Sequence, residues 1–242
     1  MSVEQALAQY KETESESPFS LQNSKLLKVE LSDVTIQAKL GSMVAYQGEV
    51  RFEHAGSGGM QRFVKKAVTG EGTSLMKISG TGEVFLAVQA QDIQLIKLES
   101  DSITANGANV LAFDAGIDWD IKRIEGVAGG LGGGLYNMSL SGSGYVALIS
   151  DGPPVMLEIG AEPTYADPQA AITWSSGVTT SVKTDVNLNT LIGKGSGETI
   201  QIAFGGNGWV LIQPSEGQVQ ASPQSSGGGG GAAGAIGKLL GG

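Results

Sequence analysis

The 242-residue chain has no cysteine. Disulfides, thiolate metal centres and thiol nucleophiles are therefore excluded together. Histidine is nearly absent as well. His54 stands alone, so a metal site would have to rest on carboxylates, with His54 at most joining them. A Ser-His-Asp arrangement would depend on the same residue, and no G-x-S-x-G elbow accompanies it. Basic charge is in deficit. The formal net charge is −9, which repels phosphate backbones and argues against nucleic-acid binding. No run approaches the ~18 consecutive apolar residues of a spanning helix. The start, "MSVEQALAQYKETESESP", has neither a basic n-region nor an apolar h-region. The expectation is a cytoplasmic protein.

Glycine is what the chain has in excess, 38 residues against an average share of about 7%. Such an excess implies turns, bulges, close backbone contacts or a flexible segment, and its distribution separates them. Residues 1–18 are polar and acidic, with at most a short helix in "SVEQALAQYK". Residues 215–242, "SEGQVQASPQSSGGGGGAAGAIGKLLGG", form a Gly/Ser-rich tail that ends in a small apolar tag, "AIGKLL". Between them, residues 19–214 alternate β-branched runs with Gly, Asn and Asp turns. Strands are expected at 26–40, 75–88, 93–99, 103–113, 135–149, 154–160, 170–175, 179–186 and 198–213. Short strands at regular intervals indicate one all-β domain, a sandwich or barrel. The exception is 59–68, where Met60, Phe63, Val64 and Ala67 keep helical spacing. Arg62, Lys65 and Lys66 lie on the opposite face and make a basic interaction surface, or an ordinary solvated one.

A repeat organises the domain. "ISGTGEVFL" begins at Ile78, "LSGSGYVAL" at Leu140 and "FGGNGWVLI" at Phe204. The glycine pairs are Gly80/Gly82, Gly142/Gly144 and Gly206/Gly208. Strand alternation puts each pair on one face with large apolar residues: Ile78, Val84 and Leu86, then Leu140, Val146 and Leu148, then Phe204, Val210 and Ile212. Three units follow, roughly 26–90, 93–152 and 155–213, in a pseudo-threefold arrangement. The paired glycines either open a ligand groove or let a neighbouring strand approach. Threefold recurrence favours the packing role.

Other motifs carry less. "GKGSGET" (193–199) lacks the upstream glycine of a phosphate loop. Asp114, Asp118 and Asp120 form the nearest carboxylate cluster, but without the calcium-loop pattern. No catalytic set, metal site or cofactor-binding residue stands out.

"GSGGMQRFVKKAVTGEG", followed by a strand and "GTGEVFLA", resembles the altered-inheritance-of-mitochondria protein twenty-four family of mitochondrial biogenesis. Gly-Ser-Met-Val at 41–44 and Gly-Gly-Leu-Tyr at 133–136 extend the match over roughly 26–213. Thr73-Ser74 depart from it, since a Leu-Phe pair is more usual there. The resemblance implies an all-β fold similar to the tryptophan RNA-binding attenuation protein (TRAP-like) or a double-stranded β-helix. It also implies a tendency to oligomerise, and for mitochondrial members a link to inner-membrane organisation. It brings no agreed catalytic residues. The function expected is that of a non-enzymatic structural or interaction protein without a cofactor, homo-oligomeric, with a protein partner or a membrane surface reached through the tail. A small-molecule binding module with a pocket between units is the alternative, and RNA binding is the weakest one.

Overall fold

The structure is a computed structural model and describes residues 2–32, 34–54, 74–123, 136–184 and 200–215. Helix α1 (Val3–Leu7) is fixed by a capping box in which Ser2 accepts from the Gln5 amide and Gln5 returns the bond. Fifteen strands follow: β1 (Phe19–Asn23), β2 (Leu26–Glu30), β3 (Ile36–Lys39), β4 (Met43–His54), β5 (Leu75–Leu86), β6 (Asp92–Asn106), β7 (Val110–Asp114), β8 (Asp118–Arg123), β9 (Tyr136–Ser150), β10 (Val155–Ile159), β11 (Thr164–Ala166), β12 (Ala171–Ser175), β13 (Val178–Thr184), β14 (Ile200–Gly206) and β15 (Gly208–Ile212). Among the described residues every pairing is antiparallel. The expected all-β class is what the chain adopts. The helix expected at 59–68, with Arg62, Lys65 and Lys66, lies outside the described residues. So do the glycine-rich stretches 129–134 and 193–198 and the tail from 216.

The strands run in the order β1-β2-β5-β3-β7-β9-β6-β12-β15-β10, with β4 beside β5 and β8 beside β9; β11-β14-β13 form a separate sheet. The long series folds into layers because its long strands change partners midway. Leu75–Ile78 of β5 pair with β3, while Glu83–Leu86 pair with β2. In β9, Tyr136–Ser141 lie beside β8 and Val146–Leu148 beside β7. The third unit makes the same change with two strands each time: β14 lies between β11 and β13, and β15 between β10 and β12.

One register feature recurs. Met43 pairs with Leu86 and Ala45 with Phe85, so Val44 bulges out of the ladder. Val110 and Ala112 pair with Leu148 and Ala147, skipping Leu111. Ala171 and Thr173 pair with Ile212 and Leu211, skipping Ile172. A bulge bends a strand and raises its twist, and here each one stands beside the large aliphatic that closes a glycine motif, Leu86, Leu148 or Ile212. The expectation of a pseudo-threefold arrangement rests on the three related units; among the described residues their strands form a series that does not close on itself. Among the described residues, β4 pairs only with β5 and β11 only with β14.

Two large core clusters each draw on residues from more than one unit. Leu27, Ile36, Ile78 and Leu86 pack with Ala112, Ala147 and Ile149. Leu75, Leu140, Val146 and Leu148 pack with Ile172. The N-terminal segment is attached as well, which its polar composition did not suggest. Lys28, in β2, has a side chain only 5% exposed and is ion-paired to Glu12 and, at 3.2 Å, to Glu83. Thr13 and Gln22 exchange two hydrogen bonds beside it. The Glu12 bond holds the Lys28 ammonium above its ordinary 10.5, against a burial that lowers it, with Glu83 adding in the same direction. A lysine so raised supports the fold below 10.5, and that support is lost as pH rises through the raised value. Glu12→Gln should therefore cost about 1 kcal/mol at pH 7. Urea unfolding at increasing pH should show the deficit closing once Lys28 deprotonates.

Candidate functional site

The glycine pairs sit where each long strand passes from one layer to the other. Gly80 and Gly82 lie between the β3-paired and β2-paired halves of β5. Gly142 and Gly144 lie between the β8-paired and β7-paired halves of β9. Gly206 ends β14 and Gly208 begins β15. All six have φ between +93° and +151°, a backbone region that other L-residues rarely adopt. Glycine is therefore required at the corner itself, where the chain must turn without losing its ladder.

Space is the second requirement, and it tells the first glycine from the second. A Cβ on Gly82 would fall on the Gln47 carbonyl oxygen, and one on Gly208 on Ser175 Oγ. On Gly144 it would stand 2.6 Å from Asp114 Oδ2. Gln47, Asp114 and Ser175 hold the same register position in the three units, one residue beyond the pairs Tyr46/Val84, Phe113/Val146 and Trp174/Val210. In two units that residue also caps the next amide. Tyr145 N–H donates to Asp114 Oδ2 at 2.5 Å, and Trp209 N–H to Ser175 Oγ at 3.1 Å. In those two units the second glycine is the notch through which the capping side chain reaches the backbone. At the first glycine, Gly80 faces the Glu49 carbonyl and Gly206 the Gly177 carbonyl, while Gly142 meets nothing closer than Ile117 Cα at 4.0 Å. A neighbouring strand's backbone lies against Gly80, Gly82 and Gly206; at Gly144 and Gly208 the close neighbour is a side chain, and Gly142 is set by its φ alone.

Asp114 is the titratable group at these corners. Burial pushes its carboxyl above the ordinary 3.8, partly opposed by the Tyr145 amide. The carboxylate cluster weighed from the sequence does not assemble into a centre. Among the described residues no three of His, Cys, Asp or Glu converge as metal ligands.

The surface carries a second feature that the sequence did not reveal. Met43, Val44 and Tyr46 of β4 are exposed, as are Val155, Met156 and Leu157 of β10 and Tyr165 of β11. These are edge strands at the two ends of the fold. Their apolar side chains are of the kinds that fill buried strands, so only the pairing order distinguishes them. Among the described residues no helix is long and apolar enough to cross a membrane.

Fold and corners together define an all-β protein of layered antiparallel sheets, joined by strands that change layer at paired glycines. Residues 19–215 match the family described as Mitochondrial biogenesis AIM24, and the chain belongs to that family. Its fold is similar to the crystal structure of a Streptococcus pyogenes protein solved by a structural genomics consortium, with a TM-score of 0.66 at 21% identity, covering 81% of this chain and 92% of that one. No curated protein gives a significant match.

Two substitutions probe the corners. Gly82→Ala combines a forbidden φ with a backbone clash and should cost about 2–4 kcal/mol in urea unfolding. Gly116→Ala, where nothing lies within 4 Å, should leave stability unchanged or raise it by up to about 1 kcal/mol. A carboxyl raised by burial favours the fold below 3.8 and withdraws that contribution as pH rises through its folded value. Asp114→Asn keeps an oxygen for Tyr145 and cannot ionise. It should unfold with the parent at pH 3 and at higher urea than the parent at pH 7.

Proposed function

We propose that this chain is a non-enzymatic structural or interaction protein that works as an oligomer. The observation that carries the reading is the apolar surface left open at both ends of the fold. Met43, Val44 and Tyr46 sit at one end, and Val155, Met156, Leu157 and Tyr165 at the other. Edge strands of this kind invite pairing with another chain, and proteins that work alone blunt them with charge, proline or a covering loop. Clustered exposed apolar side chains mark contact surfaces more often than isolated ones do. The role that follows is assembly, with membership of a mitochondrial-biogenesis family as its setting.

The alternative is a small-molecule binding module with its pocket between units. The two differ in what the purified chain carries. Sedimentation velocity of the full chain should give species above the monomer mass that grow with concentration. Native mass spectrometry should find no co-purifying metabolite. A monomer at every concentration that carries a bound metabolite would reverse the assignment.

A further inference from the structure

We propose that the apolar tag of the C-terminal tail, "AIGKLL" (235–240), folds back onto the outer side of β10 in its own chain. The inference goes beyond the oligomeric reading above and does not depend on it. It comes from comparing β10 with the strand that holds the same place in the first unit.

That strand is β2. Leu27 pairs with Leu86 and Val29 with Val84. Val155 pairs with Ile212 and Leu157 with Val210. Leu86 and Ile212 close their glycine motifs, and Val84 and Val210 stand two residues before them. Directly paired residues share a face of the sheet. Leu27 and Val29 therefore belong to the face of the first core cluster, and Val155 and Leu157 to the face of the third. Their exposure is opposite. Leu27 and Val29 are fully buried, whereas Val155 is 60% exposed and Leu157 39%.

One strand accounts for the difference. β1 lies along the outer edge of β2, with Phe19 opposite Val29 and Leu21 opposite Leu27. Among the described residues β10 has only β15 beside it. The second unit shows what an open edge carries at this position. There β9 is the only strand paired with residues 94–98 of β6, again among the described residues, and the residue opposite Leu148 is the polar Gln94. β10 places Val155 at that position, the side chain of a covered strand.

The tail starts where it can supply the cover. Gln213 accepts from the Asp151 amide at 2.9 Å, and Ser215 Oγ donates to Asp151 Oδ2 at 3.4 Å. Pro214 Cγ stands 3.0 Å from where a Cβ on Gly152 would be. The chain thus leaves the fold against the loop that leads into β10. Residues 216–234 are rich in Gly and Ser. A flexible linker of that length spans about 24 Å on average, against about 17 Å for a five-residue strand. It holds its far end at an effective concentration of about 1 mM, so a weak contact is enough to be occupied. Ile236, Leu239 and Leu240 bring the apolar area that covers Val155 and Leu157. Lys238 complements Glu158, the single charged residue of β10.

The test exploits a chain without cysteine. Ala233→Cys carries one nitroxide label just ahead of the tag in the full-length protein. In methyl NMR, the signals of Val155, Met156 and Leu157 should lose most of their intensity to the label. Those of Met43 and Val44, at the other end of the fold, should keep theirs. Adding Ile236→Ser, Leu239→Ser and Leu240→Ser preserves the linker and should restore the β10 signals. Glu158→Lys should weaken the loss, and Lys238→Glu placed with it should bring the loss back. Sharp β10 signals in the labelled parent, or equal broadening with and without the apolar tag, overturn the proposal. So does broadening of unlabelled copies mixed with labelled ones, which puts the tail on a neighbour. Sedimentation velocity of the same samples reads the oligomeric state separately, so either reading can fail while the other stands.

Discussion

The constraint on which this fold depends is the corner in each glycine-bearing strand. A strand that leaves one sheet for another must change direction sharply while its amides and carbonyls stay paired, since an unpaired buried backbone group is costly. Gly80 with Gly82, and Gly142 with Gly144, meet that demand inside single strands. Gly206 and Gly208 meet it across a one-residue break at Asn207. The entropy that glycine costs in a strand is offset because one continuous segment then serves two layers. Asp114 and Ser175 complete the device by capping an amide at the bend. Ile78, Val84 and Leu86 can all be fully buried only because the bend carries the same strand face into the core on both sides.

Because the units share strands across their boundaries, they also share cores. β3 brings its edge to β7, and β6 to β12. Polar anchors reinforce these boundaries. Lys39 Nζ donates to Ala108 O at 2.6 Å, and Gln213 accepts from the Asp151 amide while donating to Gln169 O. A first or second unit cut from the chain would lose part of its cluster, whereas the third cluster lies wholly within 155–213; strand pairing at each boundary still couples the three in unfolding.

The corner glycines and the apolar residues around them were legible in the sequence, because a period of two and a thrice-repeated Gly-x-Gly are both local signals. What the sequence concealed depended on partners far along the chain. β4 and β8 carry Gln47, Glu49, Arg51, Asp118 and Asp120 on exposed positions, so their hydropathy does not announce strands. β6 was expected as two strands; it is one, bulged at Ser100, whose φ is +59°. Glu12 looked like one more solvated acid, since nothing in "KETESESP" indicates a buried lysine sixteen residues on. The split between the two glycines of each pair was equally hidden, because it depends on whether an Asp, a Ser or a backbone carbonyl lies opposite.

The same partner dependence gives meaning to the ends. Repeated units that complete one another leave the first and last incomplete, and stacked-repeat proteins resolve this with capping segments whose outer face is polar. Here β1 lies along β2, so the first unit is closed on that side. β4 has no such cover among the described residues and presents Val44 and Tyr46 instead. Nor does β11, whose Tyr165 ring lies 4.7 Å from the Lys183 ammonium. Ala45 and Ala166 stand at the register positions where the internal junctions place Ala or Thr, so these two edges keep the side-chain pattern of the strands that pair within the fold.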